Sequence, residues 1–263
     1  MTRVRVRRDR PSALAWAIAL AVTMLAVYFL TLDAARPDVV ESVAAAPRVT
    51  REIAFEPIEG WCVSLASCKS DGEARIQAAG FTARGAAGVA MRADGAWRVL
   101  GAVYESEREA RRIAQRLRKD EDIDAEVICL SADALTLRIT APQYQIDAVE
   151  AADALLREQT WQLGQIALQV DRGEIRPEAV RTLCALAATE AGEAAKALAA
   201  IPGAEENALC AALMGRLSAL SQMLDSIAVS RDVSGAALSG MVRCAQIETL
   251  AGQREMQAGL TKG

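Results

Sequence analysis

Two stretches of this chain are similar in sequence: residues 61–75 read WCVSLASCKSDGEAR, and residues 97–111, 36 positions later, read WRVLGAVYESEREAR. Seven positions are identical, where chance would give about one or two in a chain of this composition. Each copy begins with alternating apolar residues, which are typical of a strand, and then reaches Ser-x-x-Glu, a capping box that starts a helix. Two copies of one strand–helix unit predict a small duplicated domain rather than a solenoid.

The residues around the two copies predict the rest of this domain. Asp94-Gly95 between two apolar runs is a strong hairpin signal. The predicted order is β-α-β-β-α-β, a split βαβ (ferredoxin-like) unit with an antiparallel sheet and both helices on one face. Trp61 and Trp97 are expected to pack in the core between the sheet and the helices. A further strand over 134–140 is expected to extend the sheet. After the first strand, the predicted elements are helix 71–79, strands 88–92 and 96–103, helix 107–119 and strand 124–130.

These residues resemble the SPOR domain, a family found in bacterial cell-division and sporulation proteins. The resemblance covers about residues 59–130. It implies the same βαββαβ fold and binding of peptidoglycan glycan strands, stripped of stem peptides, through the exposed face of the sheet. The segments that carry it are Trp61-Cys62-Val63, Ser70–Ala74, Gly80-Phe81, Trp97-Arg98-Val99 and Ser106–Ala110.

The resemblance also implies a binding site on that sheet face. The predicted glycan-binding residues are Ser64, Ala66, Arg98 and Leu100. Arg98 matches the arginine of the family pattern and would donate hydrogen bonds to sugar hydroxyls. Ser64 and Ala66 stand where the family favours Gln and Gly, and Cys68 stands at its Phe position. We expect Trp61, Val63 and Leu65 to face the helices, and Cys62, Ser64, Ala66 and Cys68 to face the other way.

The N-terminal segment predicts a membrane anchor. Residues 12–32 carry no charge over 21 positions, which spans about 31 Å as a helix and matches a bilayer core. Five arginines precede it, so residues 1–11 are expected in the cytoplasm and the bulk of the chain outside a single-pass cell membrane protein. A cleaved signal peptide, with Ala44-Ala45-Ala46 as a loose cleavage site, is the alternative. Residues 33–58, with three prolines, are predicted to be an extended linker.

Composition narrows the function classes. From residue 59 onward, 22 Lys and Arg stand against 28 Asp and Glu, which argues against a nucleic-acid partner. The chain has no histidine, which removes Ser-His-Asp and Cys-His schemes and most zinc sites. We therefore predict no catalytic residues, no metal and no cofactor. The six cysteines leave two interpretations open, small apolar residues or a disulfide framework.

The remainder, residues 142–263, is predicted to be an all-α domain. Apolar residues recur every seven positions from Val149 to Val170, and Leu213, Leu217, Leu220 and Leu224 step 4-3-4. The whole chain is thus predicted to be α+β, with a transmembrane helix, a SPOR-like domain over 59–141 and this helical domain. Two functions stay open: glycan binding with a helical region for partners, or a scaffold whose SPOR-like fold does not bind glycan and which oligomerises through its C-terminal helices.

Overall fold

The computed structural model describes residues 46–261, which form an α+β fold with six strands and six helices in that range. The strands are β1 Arg48–Phe55, β2 Ile58–Cys68, β3 Val89–Ala93, β4 Ala96–Tyr104, β5 Glu126–Ala132 and β6 Leu135–Pro142. The helices are α1 Asp71–Thr82, α2 Glu107–Asp120, α3 Gln143–Asp171, α4 Pro177–Ala199, α5 Ala208–Val229 and α6 Gly235–Leu260. From Arg48 onward the chain forms one compact unit.

The duplicated stretch forms the unit β2-α1-β3-β4-α2-β5. Its sheet has the order β3-β4-β2-β5, and all neighbouring strands are antiparallel, which is the split βαβ arrangement. The two capping boxes work as predicted: Ser70 Oγ accepts from the Glu73 amide at 3.2 Å, and Ser106 Oγ accepts from the Glu109 amide at 3.4 Å. Asp94 and Gly95 join β3 to β4, both with positive φ (50° and 79°), as a two-residue hairpin requires.

One face of this sheet, called the front face, packs against α1 and α2. Val63 and Leu65 are buried there with Ala110 and Ala114 of α2. Trp61 packs against the same cluster, and Trp97 packs near Ala74 and Ala78 of α1. Both tryptophans are partly buried and pack against the core between the sheet and the helices.

The strands β1 and β6 form a second, two-stranded antiparallel sheet. It continues the β2–β5 pair in the same register, because Phe55 pairs with Leu135, Ile58 pairs with Ala132, and two residues intervene on each strand. Pro57 lies in that gap, and proline has no N–H to donate to the ladder. The strand predicted over 134–140 thus exists, but it extends the sheet lengthwise instead of adding a strand at its edge. Residues 48–55, predicted as linker, are its partner strand.

The four long helices α3 to α6 pack together over residues 143–260. Of the seven-residue series predicted on α3, Val149, Leu156 and Leu163 are buried, and Val170 is partly buried against the same core. On α5, Leu213, Leu217, Leu220, Leu224 and Ile227 are all buried in the same cluster. Ile53 and Phe55 of β1 join this cluster, so the small sheet shares a core with the helices.

The predicted membrane topology is corrected by this structure. The proposed transmembrane helix over 12–32 lies outside the described residues, and within residues 46–261 no helix combines the length and apolar character needed to cross a bilayer. The longest, α3, has 29 residues but carries charged side chains along its length, among them Asp147, Glu150, Asp153 and Arg157. The fold class with a transmembrane helix and the single-pass cell membrane localisation are therefore not upheld.

Candidate functional site

The four predicted glycan-binding residues do not share one open surface. Leu100 is fully buried, and Ser64 is 1% exposed with its hydroxyl donating to the Ala66 carbonyl at 3.1 Å. Ala66 packs with Cys68, Val99 and the small residues of α1, on the front face. Arg98 alone of the four carries a charged group to the surface.

A β-bulge explains why Ala66 and Cys68 lie on the unexpected face. The pairing of β2 with β4 shifts register between Val63 and Ser64 and again between Ser64 and Ala66. An extra residue in one strand reverses which face the following side chains occupy. The predicted alternation therefore holds for Trp61 to Leu65 and is wrong for Ala66 and Cys68, which turn toward α1.

Arg98 is tied to a carboxylate across the sheet. Its Nη1 donates to Glu126 on β5 in an ion pair, with the Arg98 side chain 15% exposed and that of Glu126 51% exposed. The Arg98 Nε is buried without a hydrogen-bond partner among the described residues. The half-exposed carboxylate keeps this pair close to solvent, so we expect a modest contribution to stability. A ligand at this corner would compete with Glu126 for the guanidinium.

The opposite face of the sheet, called the rear face, is covered by α6. The buried apolar residues of the rear face form one cluster with Ile247 and Leu250 of α6, and Trp161 of α3 packs against the same cluster. The rear-face members are Ile58, Cys62, Val89, Leu100, Val103, Ile128 and Leu130. The surface on which the SPOR resemblance places the glycan is therefore a helix–sheet interface in this chain.

Two glycines allow α6 to approach so closely. A Cβ on Gly60 of β2 would lie 2.3 Å from Leu250 Cδ2, and a Cβ on Gly240 of α6 would lie 2.6 Å from the Ala86 carbonyl oxygen. Real side-chain atoms do not tolerate such distances, so the packing depends on the missing side chains at both positions. The helix thus approaches β2 through Leu250 and the loop between α1 and β3 through Gly240.

Hydrogen bonds fasten α6 to the strands and their loops. Arg243 Nη1 donates to the Gly85 carbonyl at 2.9 Å, and its Nη2 pairs with Asp171 at the end of α3. Arg254 Nε donates to the Ser131 carbonyl at 3.1 Å, and Gln257 Nε2 donates to the Glu56 carbonyl at 3.0 Å. These bonds satisfy one carbonyl of β5 and two carbonyls in the connections α1–β3 and β1–β2, and they fix the position of the helix beside the sheet.

All six cysteines are free thiols. Burial raises the pKa of Cys62 to about 12, with the nearby Cys129 as the second cause. Burial also raises the pKa of Cys184 and of Cys244 to about 11. Thiols with raised pKa values are poor nucleophiles and poor metal ligands at neutral pH. Within residues 46–261, no cluster of three or more acidic, cysteine or histidine side chains is suited to hold a metal ion.

A cavity of about 250 Å³ lies beside the sheet, where the end of β4 and the start of α2 meet α3 and α6. Its lining includes Tyr104, Glu109, Trp161, Gly164 and Gln246. Sequence analysis did not identify these residues. The one available signal was Gly164, because glycine inside a long apolar-periodic helix costs about 1 kcal/mol relative to alanine and needs a local reason.

Compared with protein-family models, curated proteins and solved structures, the chain gives no match. The resemblance to the SPOR domain therefore stays a prediction that rests on the quoted residues.

Proposed function

We propose that this protein is a non-enzymatic structural protein in which the SPOR-like unit does not present its sheet to glycan strands. The observation that carries the proposal is the packing of α6 on the rear face, where Leu250 fills the space that a side chain at position 60 would need. On this view the duplicated unit and the helices act as a single body. Contacts with other molecules would then be made by its outer surface.

The energy needed to uncover the rear face supports this proposal. Moving Ile247 and Leu250 from the core to water would cost about 3–6 kcal/mol for the two side chains together. The hydrogen bonds from Arg243, Arg254 and Gln257 would be lost in addition. A ligand with a Kd of 1 mM gains only about 4 kcal/mol on binding. A glycan strand that first had to displace α6 would therefore bind very weakly.

The self-association expected through residues 142–263 is part of the same proposal. Leu183 and Leu186 lie one helical turn apart on α4, with exposed fractions of 41% and 64%. Residues at this spacing share one side of a helix. A second copy of this chain, docked through α4, would bury both leucines. Sedimentation velocity tests this: the wild-type protein should form dimers that Leu186→Glu abolishes, and a wild-type monomer at all concentrations would contradict it.

Co-sedimentation with insoluble denuded glycan strands tests the proposal against glycan binding. We expect the wild-type protein to remain in the supernatant. Sedimentation with the glycan that is lost in Arg98→Ala, but retained in the control Arg118→Ala on α2, would overturn the proposal. That outcome would assign glycan binding to the Arg98–Glu126 corner, the part of the rear side where a guanidinium reaches solvent.

A further inference from the structure

The cavity beside the sheet has a floor built around one buried amide. Gln246 of α6 is 2% exposed and lines the cavity. A Cβ on Gly164 of α3 would lie 2.5 Å from Gln246 Nε2, so the glycine leaves the room that this amide occupies. No hydrogen bond joins the Gln246 side chain to another group in the described part of the chain. The Gln246 amide atoms are not fully shielded from solvent, so the amide is open to the cavity and can bond a molecule bound there.

The walls of the cavity combine aromatic rings with further neutral polar groups. Trp161 and Tyr104 line it and are partly exposed, and Gln165 and Ser106 lie around the opening. Burial raises the pKa of Tyr104, so its phenol keeps its proton and can donate through the physiological range. Ligand sites in proteins are commonly built in this way, with apolar and aromatic walls and a few placed polar groups that orient the occupant.

Most charged side chains in and around the cavity are paired with other residues of the protein. Arg243 pairs with Asp171 and donates to Ser239 Oγ at 3.0 Å, and Glu109 lies 3.4 Å from Arg112 Nη2. Glu105, at the mouth, is exposed and adds a negative charge that disfavours an anionic ligand. The groups left open toward the interior are the amide of Gln246 and the ring and hydroxyl of Tyr104, which are neutral. The occupant is therefore expected to be neutral.

We propose that this cavity binds a small neutral polyhydroxylated ring of monosaccharide size. Such a molecule presents an apolar C–H face, which matches Trp161, and hydroxyls that both donate and accept, which matches the Gln246 amide and the Tyr104 hydroxyl. The volume of about 250 Å³ lies below the roughly 300–1,000 Å³ of drug-sized pockets, so one ring fits and an oligomer does not. The cavity borders the rear face, because Val103 and Trp161 line the cavity and also belong to the rear-face cluster. The proposal does not depend on the structural function proposed above.

Saturation-transfer NMR and calorimetry on the full-length protein test this proposal, with D-glucose, D-galactose and N-acetylglucosamine as probes. We expect at least one of them to bind in the millimolar range. Gln246→Leu, which keeps the volume and removes the hydrogen bonds, should weaken it about tenfold, equivalent to about 1.4 kcal/mol. Gly164→Ala should weaken it by narrowing the floor.

The matched control is Gln162→Leu, which removes an exposed amide of α3 that bonds Glu158 outside the cavity. It should leave the affinity unchanged. Binding that is equal in Gln246→Leu and wild type would overturn the proposal. So would no binding of any of the three sugars, or preferential binding of tetramethylammonium, which would indicate that the two aromatic rings and Glu105 select a cation.

Discussion

The helix α6 makes two contacts of opposite character. Toward the rear face it presents Ile247 and Leu250 to an apolar cluster. Toward α3 it presents the buried polar residues Ser239 and Gln246. Ser239 bonds Asp171, and Gln246 lies against Gly164. Gln253, also buried, follows at the same seven-residue spacing. The first contact removes apolar area from water, and the stability it gives the folded protein does not depend on the orientation of the side chains. The second is directional at Ser239, because its hydroxyl bonds Asp171 and so fixes which residue of α6 faces the end of α3.

The polar contact is not arranged for maximal stability. Gln253 Nε2 is buried without a hydrogen-bond partner among the described residues. Polar residues at heptad-spaced positions between helices are known to specify register at a cost in stability. We infer that the apolar contact holds α6 on the sheet and that the polar contact sets its position along α3.

The largest expected effect is on the apolar contact. Leu250→Ala should lower the free energy of unfolding by about 2–5 kcal/mol, because it leaves a cavity between α6 and the rear face. Urea denaturation measures this. Ile76→Ala on α1, where the Ile76 side chain is 78% exposed, is the control and should change stability by about 0.5 kcal/mol or less. If the two substitutions cost the same, Leu250 is not part of a core.

The close approach of Gly60 to Leu250 can be tested by a double-mutant cycle. Gly60→Ala should cost about 1–3 kcal/mol, because its methyl group overlaps the Leu250 side chain. In a Leu250→Ala background the same substitution should cost less, with a coupling energy of about 0.5–3 kcal/mol. Additive costs would place the two residues apart and contradict the contact.

If the rear face excludes water, the folded protein should also lose stability at alkaline pH through the buried thiol of Cys62. The pKa of Cys62 is raised from 9.0 to about 12 by burial. Between these values the folded state keeps a proton that the unfolded state releases, so stability is fully present below pH 9 and falls as pH rises toward 12. By pH 10.5 this amounts to about 2 kcal/mol.

The measurement is the free energy of unfolding of wild type and Cys62→Ala at pH 8 and pH 10.5. The wild-type protein should lose more stability over this interval than the variant does. Cys129→Ala, which removes an exposed thiol, should lose nearly as much as wild type. Equal losses for wild type and Cys62→Ala would mean that water reaches the rear face.

The smallest effect is expected in the polar contact. Gln253→Leu replaces a buried amide that lacks one partner and should leave stability within about 1 kcal/mol of wild type, or increase it. Gln257→Leu, which removes the bond to the Glu56 carbonyl, should cost about 0.5–1.5 kcal/mol. A large loss from Gln253→Leu would show that the polar contact contributes stability and not register alone.

Much of the SPOR-like unit was predictable, because its signals are local. The capping serines Ser70 and Ser106, the Asp94-Gly95 turn and the alternation around Trp61 each act within a few residues. The strand β1 was missed because the exposed Arg51 and the flanking prolines interrupt its apolar alternation. The bulge at Ser64 left no pattern in the sequence, so the direction of Ala66 and Cys68 was predicted wrongly.

The cover over the rear face could not be predicted, since it depends on contacts distant in sequence. The helix α6 carries buried polar residues such as Gln246, Gln253 and Thr249, and polar residues at these positions do not indicate that a helix is covered on several sides. The helix is instead surrounded, with the sheet on one side and α3 and α5 on others. Leu100 was assigned to an open binding surface for the same reason, because nothing near it in the sequence indicates that a helix about 150 residues later lies over it.

The most direct test of this account is a proton–proton distance across the interface of α6 and the sheet. In a methyl-labelled sample, NOESY spectra should show strong cross-peaks from the Leu250 methyl groups to the α-protons of Gly60 and to the methyl groups of Val103, because both side chains lie within 3 Å of where a Cβ on Gly60 would stand. Their presence would establish that α6 covers the rear face in solution. Solvent-exposed Leu250 methyl groups without these cross-peaks would contradict the account and leave the sheet open.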